Sequence, residues 1–111
     1  MNPIQTSLTE LFDRIPRRHN PDNVKEIYNI IDEYESQLQS IEAESADHEK
    51  QVAPFFDTLD PIRALIKKSS DNKASKKIKD NYFDEGSGAL KDSIQELLTM
   101  YASLTKANSS T

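Results

Sequence analysis

Residues 22–53 read DNVKEIYNIIDEYESQLQSIEAESADHEKQVA, with no glycine or proline anywhere in the stretch. Val24, Ile27, Ile31, Tyr34, Leu38 and Ile41 follow one another in steps of three and four, and Val52 resumes the series after polar residues at Ser45 and His48. Such spacing keeps side chains on one face of an α-helix. The stretch therefore predicts a single overlong, coiled-coil-like helix of about 45 Å at 1.5 Å per residue. A second stripe, Leu90, Ile94, Leu97, Tyr101 and Leu104, predicts a last helix from Ala89 to Lys106. Its flanks include Leu98 and Met100, so its buried face is broad, which places it centrally and antiparallel to the long helix.

Working outward, Ile4, Leu8, Leu11, Phe12 and Ile15 share one face of a first helix that Pro16 ends. Arg17 to Asn20 form a linker, and Asn20-Pro21-Asp22 is a helix start: a cap, a proline in the first turn and an acid near the positive helix end. Pro54 predicts a turn through Leu59, and Asp60-Pro61 repeats the start signal for a short helix carrying Ile62, Leu65 and Ile66. Residues 69–73 read as loop. Ala74, Ile78 and Tyr82, four apart, predict a further short amphipathic helix, which Gly86 and Gly88 break. The expected fold is an all-α antiparallel helical bundle of about four helices, one domain over residues 1–107, with a frayed tail at 108–111.

The 111 residues are 35% hydrophobic and 30% charged, with a net charge of −5. That composition lies near the polar edge of what folds alone, so another chain is expected to complete part of the apolar seam. The acidic balance argues against a surface wholly adapted to nucleic acid or anionic lipid. Cysteine is absent, which removes disulfides, a thiolate nucleophile and cysteine zinc sites. No stretch approaches the ~20 apolar residues of a membrane span, and the first residues lack a signal-peptide pattern. These features are those of an intracellular, cytoplasmic protein; a basic segment at 67–79 is compatible with nuclear entry.

That segment holds Lys67, Lys68, Lys73, Lys76, Lys77 and Lys79. The second half of the long helix is acidic, with Glu42, Glu44 and Glu49 bordering the seam, so the lysines are expected to fold back beside it as screened, exposed ion pairs. The same acids disfavour a parallel homodimeric coil, which would set Glu44 near Glu49 of the other chain. Nothing forms a catalytic constellation. Neither His19 nor His48 has an acid three residues before it, and two histidines fall short of a histidine zinc site, so no metal and no cofactor are expected. Asp32-Glu33 and Asp84-Glu85 are adjacent pairs that diverge on a helix. Gly86-Ser87-Gly88 lacks the third glycine and preceding strand of a dinucleotide site.

The expected role is a non-enzymatic protein–protein interaction module, a small subunit, adaptor or chaperone-like binder. It would meet a second copy of itself or a heterologous helical partner through Ile31, Tyr34, Leu38 and Ile41 on the seam and through Phe55 or Phe56 at the turn. Two other readings compete. The lysine cluster would make the chain an electrostatic binder of nucleic acid or another polyanion. His48, mid-helix, invites comparison with histidine phosphotransfer domains, whose H-x-x-K-G run is here His48-Glu49-Lys50-Gln51: the lysine is at the wrong offset, the glycine is missing, and Asp47 and Glu49 would repel a phosphoryl group.

Overall fold

The computed structural model describes residues 3–109, and side chains as far as Ser103. Five helices follow in order: α1 Pro3–Arg14, α2 Pro21–Glu42, α3 Ala46–Phe56, α4 Leu59–Lys68 and α5 Lys76–Ser109. The described residues contain no strand. The chain runs forward along a rod 55 × 23 × 16 Å in α2, returns in α3 and α4, and runs forward again in α5. Cross-contacts fix these directions: His19 lies against Phe83, Tyr34 bonds Ser93 and Glu44 bonds Tyr101, whereas Thr58 meets Ser93 and Lys68 lies over Tyr82. α1 and α4 each pack on α2 and α5 without packing on one another, which makes a four-helix ring, and α3 packs on α2, α4 and α5.

The stretch at 22–53 is two helices rather than one. Ser45, in extended conformation, caps α3 by accepting from the His48 amide at 3.0 Å, and Glu44 N–H bonds Ile41 O in a tightened last turn of α2. A serine cap satisfies an otherwise orphaned amide, and this local gain outcompetes continuation of the helix where the seam is already broken. Pro54 does not end α3. It sits in the last turn, where its missing N–H costs a single hydrogen bond, and the chain bends at Asp57 and Thr58 instead. Pro61, in the first turn of α4, falls where no amide donor is needed.

The overlong helix is the last one. α5 spans 34 residues, about 50 Å, and runs parallel to α2, not antiparallel, because α3 and α4 together make the return stroke. Its two glycines do not break it, and neither has positive φ. A Cβ on Gly86 would lie 2.7 Å from Ile66 Cδ1 and 3.2 Å from Leu65 Cβ. Gly86 is thus a point of close approach between α4 and α5, where a methyl group would make the tip of Ile66 move and Leu65 give way by a few tenths of an ångström. Half of the expected tail, Asn108 and Ser109, is the last part of α5, and positions 110–111 lie outside the described residues, as does the side chain of Leu104.

The core collects both stripes. Ile27, Ile31, Tyr34, Leu38 and Ile41 of α2 and Leu90, Ile94, Leu97 and Tyr101 of α5 are buried with Leu8, Leu11, Val52, Leu59, Ile62, Ile66 and Phe83. Arg63 ties α4 to α2 through Asp32 at 2.9 Å and Glu35 at 3.0 Å; burial alone would lower its pKa, but these two hydrogen bonds outweigh it and raise it. Arg14 holds α1 to α2 through Glu26 and Glu33, whose hydrogen bonds push the guanidinium further up.

Candidate functional site

The apolar seam faces inward. Ile31, Tyr34, Leu38 and Ile41 have no exposed surface at all, so in this conformation they offer a partner nothing. Phe55 and Phe56 are half-buried, both resting against the core at the end of α3. The buried residues form a thin core spread along the rod.

What remains on the surface is charge, and it is segregated. The lower pole is assembled from the linker after α1, the start of α2, the end of α4, the connection at 69–75 and the first turn of α5. Residues 15–25 and 67–80 carry nine of the chain's fourteen basic residues against three acidic ones, whereas the rest of the molecule is strongly acidic. Lys67, Lys68, Lys73, Lys76, Lys77 and Lys79 all lie here, joined by Arg17, Arg18 and Lys25. The expected pairing of the lysines with Glu42 to Glu49 is overturned: those acids are at the opposite end, beside Tyr101. The parallel course of α2 and α5 separates the two charge runs by most of the rod.

Local chemistry builds the pole. Asn20 caps α2 by accepting from the Asn23 amide at 2.8 Å, and Asn23 donates its side-chain amide to Arg18 O at 2.7 Å, which fixes the linker. His19 pins it to α5: its ring meets Phe83 edge-on at 5.5 Å and its Nδ1 lies 3.5 Å from Asp80 Oδ1. Across the pole, Ser69 donates to Ile66 O as α4 ends, Asp71 accepts from the Lys73 amide at 2.9 Å, and Ser75 receives the Ile78 amide at 3.3 Å as α5 begins. Three shallow cavities of about 250, 310 and 580 Å³ open between these segments.

Two features of the pole have no packing explanation. Lys67 and Lys68 end α4, where cations suit the helix dipole, but Lys76, Lys77 and Lys79 open α5, whose first turn contains no acid. Cations at a helix N-terminus oppose the dipole. None of the six lysines is within ion-pair distance of an acid among the described residues; Lys68 alone has a partner, the Tyr82 ring at 5.5 Å. At their centre Ile78 is 47% exposed, the one large hydrophobic so placed among the described residues. The expectation that Ile78 and Tyr82 share a buried face with Ala74 is therefore corrected: Ala74 precedes the helix and Ile78 faces solvent. Sequence reasoning found the lysines but missed Arg17, Arg18, Lys25 and Ile78 as members of one surface. The cap at Ser75 was the available signal, since it starts α5 early and turns Ile78 outward.

His48 is spent in structure. It is 8% exposed, its Nδ1 is bonded to Ser45 Oγ, and its Nε2 lies 3.6 Å from a Glu44 carboxylate that also accepts from the Tyr101 hydroxyl at 2.9 Å. Both ring nitrogens are engaged and a carboxylate faces the ring, which is poor ground for a phosphoryl group. No group of three or more His, Asp or Glu is arranged to hold a metal among the described residues, and no helix there is long and apolar enough to cross a membrane. No protein-family model, curated protein or solved structure matches the chain.

Proposed function

We propose that this chain is a non-enzymatic protein-interaction module that docks an acidic protein surface through its basic pole, with Ile78 as the apolar anchor. The observation that carries this reading is the unpaired set Lys76, Lys77 and Lys79 around exposed Ile78 at the positive end of the longest helix. Local placement that costs stability without a packing return marks a surface kept for binding. A hydrophobic side chain ringed by cations suits a protein partner, whose interface combines an apolar centre with a charged rim.

Nucleic acid fits the pole less well. Base stacking needs open aromatic faces, but Phe83 is fully buried under His19 and Tyr82 is covered by Lys68. The acidic remainder of the rod also repels an extended polyanion. A small subunit or adaptor in the cytoplasm, where a cysteine-free chain is at home, is the role this surface suits best.

The test is binding of a fluorescent polyglutamate probe, with a DNA duplex of similar charge as the comparison. The expected result is salt-sensitive capture of polyglutamate that falls at least about tenfold in the Lys76→Glu, Lys77→Glu, Lys79→Glu variant and is weakened by Ile78→Ser. Equal binding by the triple variant, or tight binding of duplex DNA alone, overturns the reading.

A further inference from the structure

We infer that one acidic surface fitting the basic pole lies on a second copy of this chain, so that two copies pair antiparallel along α5. This inference rests on the function proposed above and gives that surface a position. Between α4 and α5 runs a groove of about 400 Å³ whose apolar wall includes Pro61, Leu65 and Ala89 and whose edges carry Asp57, Asp92 and Glu96. No basic side chain lines it, and none of its three carboxylates is within ion-pair distance of a cation among the described residues. An apolar slot with an unpaired acidic rim is thus the chemical complement of an apolar knob with an unpaired basic rim, and one chain carries both.

Their positions permit mutual use. At 100° per residue, Ala89, Asp92 and Glu96 lie within about 40° of Ile78 around the axis of α5, displaced from it by roughly 16 to 27 Å along the helix. Two copies of α5 laid antiparallel on this face therefore place each Ile78 in the other's groove in one movement, an isologous contact closed at two chains. A register seating Ile78 over Ala89 of the second copy also sets Glu85 against Tyr82 instead of against its own counterpart, which avoids a like-charge clash at the two-fold axis. In that register Asp92 of the second copy falls opposite position 75, next to Lys76 and Lys77.

The experiment is absolute mass in solution by light scattering across about a hundredfold range of protein concentration, at low and high salt, for the wild type, Ile78→Asp, and the double variant Asp92→Lys, Glu96→Lys. Exposed positions are changed in each case, and circular dichroism confirms that the variants stay helical. The expected result is a wild-type mass rising toward two copies of the 12.6 kDa chain at low salt and returning to one at high salt. Each variant alone is a monomer, and mixing the two restores pairing, because each supplies the half the other lacks. A wild type monomeric throughout, pairing unaffected by Ile78→Asp, or assemblies larger than two overturn the inference. Polyglutamate capture on the same samples separates the two ideas: a monomer that still captures the probe through its lysines defeats the pairing alone, whereas loss of capture defeats the proposed function as well.

Discussion

Tyr34 of α2 and Ser93 of α5, fifty-nine positions apart, share a 2.7 Å hydrogen bond inside the fold, and Ser93 in turn meets Thr58 at the α3–α4 bend at 3.0 Å. Three strokes of the chain are locked together at one buried point. Thr58 closes the relay by donating to Phe55 O at 2.7 Å, and among the described residues no buried side-chain polar atom is left without a partner. A satisfied buried network specifies one alignment of helices that apolar packing alone would leave free to slide.

The relay predicts an asymmetry. Ser93→Ala strands the Tyr34 hydroxyl in the core and costs about 2 kcal/mol, whereas Tyr34→Phe removes the hydroxyl itself and costs about 1 kcal/mol. Burial raises the Tyr34 pKa well above the ordinary value of 10.0, with the Ser93 hydrogen bond opposing that shift. A phenol whose folded pKa exceeds its unfolded one contributes stability fully below the unfolded value and loses it as pH climbs toward the folded one. Wild-type stability should therefore decline above about pH 10, with a smaller decline in Tyr34→Phe. Urea denaturation across alkaline pH checks both statements.

The two glycines of α5 predict opposite responses to alanine. Gly88 has open space around its Cβ position, so Gly88→Ala gains helix propensity and stabilises by about 1 kcal/mol, a rise of roughly 4 °C in melting temperature. Gly86→Ala gains the same propensity but crowds the buried Ile66 side chain and Leu65 Cβ, a cost of about 1 to 3 kcal/mol that cancels or exceeds the gain. Thermal melts of the two variants side by side decide the matter: Gly86→Ala melts below Gly88→Ala by several degrees.

These glycines also show what the sequence could and could not convey. The apolar stripes of α1, α2 and the second half of α5, the all-α class, the start of α2 and the lysine cluster are legible in apolar spacing, proline placement and composition, whereas buried Phe83 and exposed Ile78 are not. Gly86 and Gly88 look like a break when only local preference is weighed, because the close approach of Ile66 to Gly86 comes from a helix twenty residues earlier. Ser45 and His48 were visible as a gap in the seam, yet a gap does not distinguish a solvent-facing turn of one helix from a cap that starts another. The direction of α5 depends on how many strokes precede it: a break at Gly86 and Gly88 would add one, and because α5 runs through both glycines unbroken it lies parallel to α2 rather than antiparallel. The basic pole was half legible, since its lysines are a run in sequence while Arg17, Arg18 and Lys25 join them only through folding.

The cap at Ser45 is itself testable. Ser45→Ala removes the acceptor for the His48 amide and a partner of the His48 ring, and should cost about 1 kcal/mol. Amide exchange at residues 46–49 should accelerate while that of residues 27–38 is unchanged. Uniform acceleration through both helices would instead mean that α2 and α3 behave as one unit.

The central claim is that the seam of α2 is satisfied inside the fold and that partners meet the basic pole. Hydrogen exchange read by mass spectrometry, with and without an acidic polypeptide probe, tests both halves at once. The account predicts slow exchange over residues 27–41 in the free chain and new protection, on adding the probe, confined to residues 15–25 and 67–82. Fast exchange over residues 27–41 that slows only when the probe is bound would contradict it, because the seam would then be the surface that partners complete.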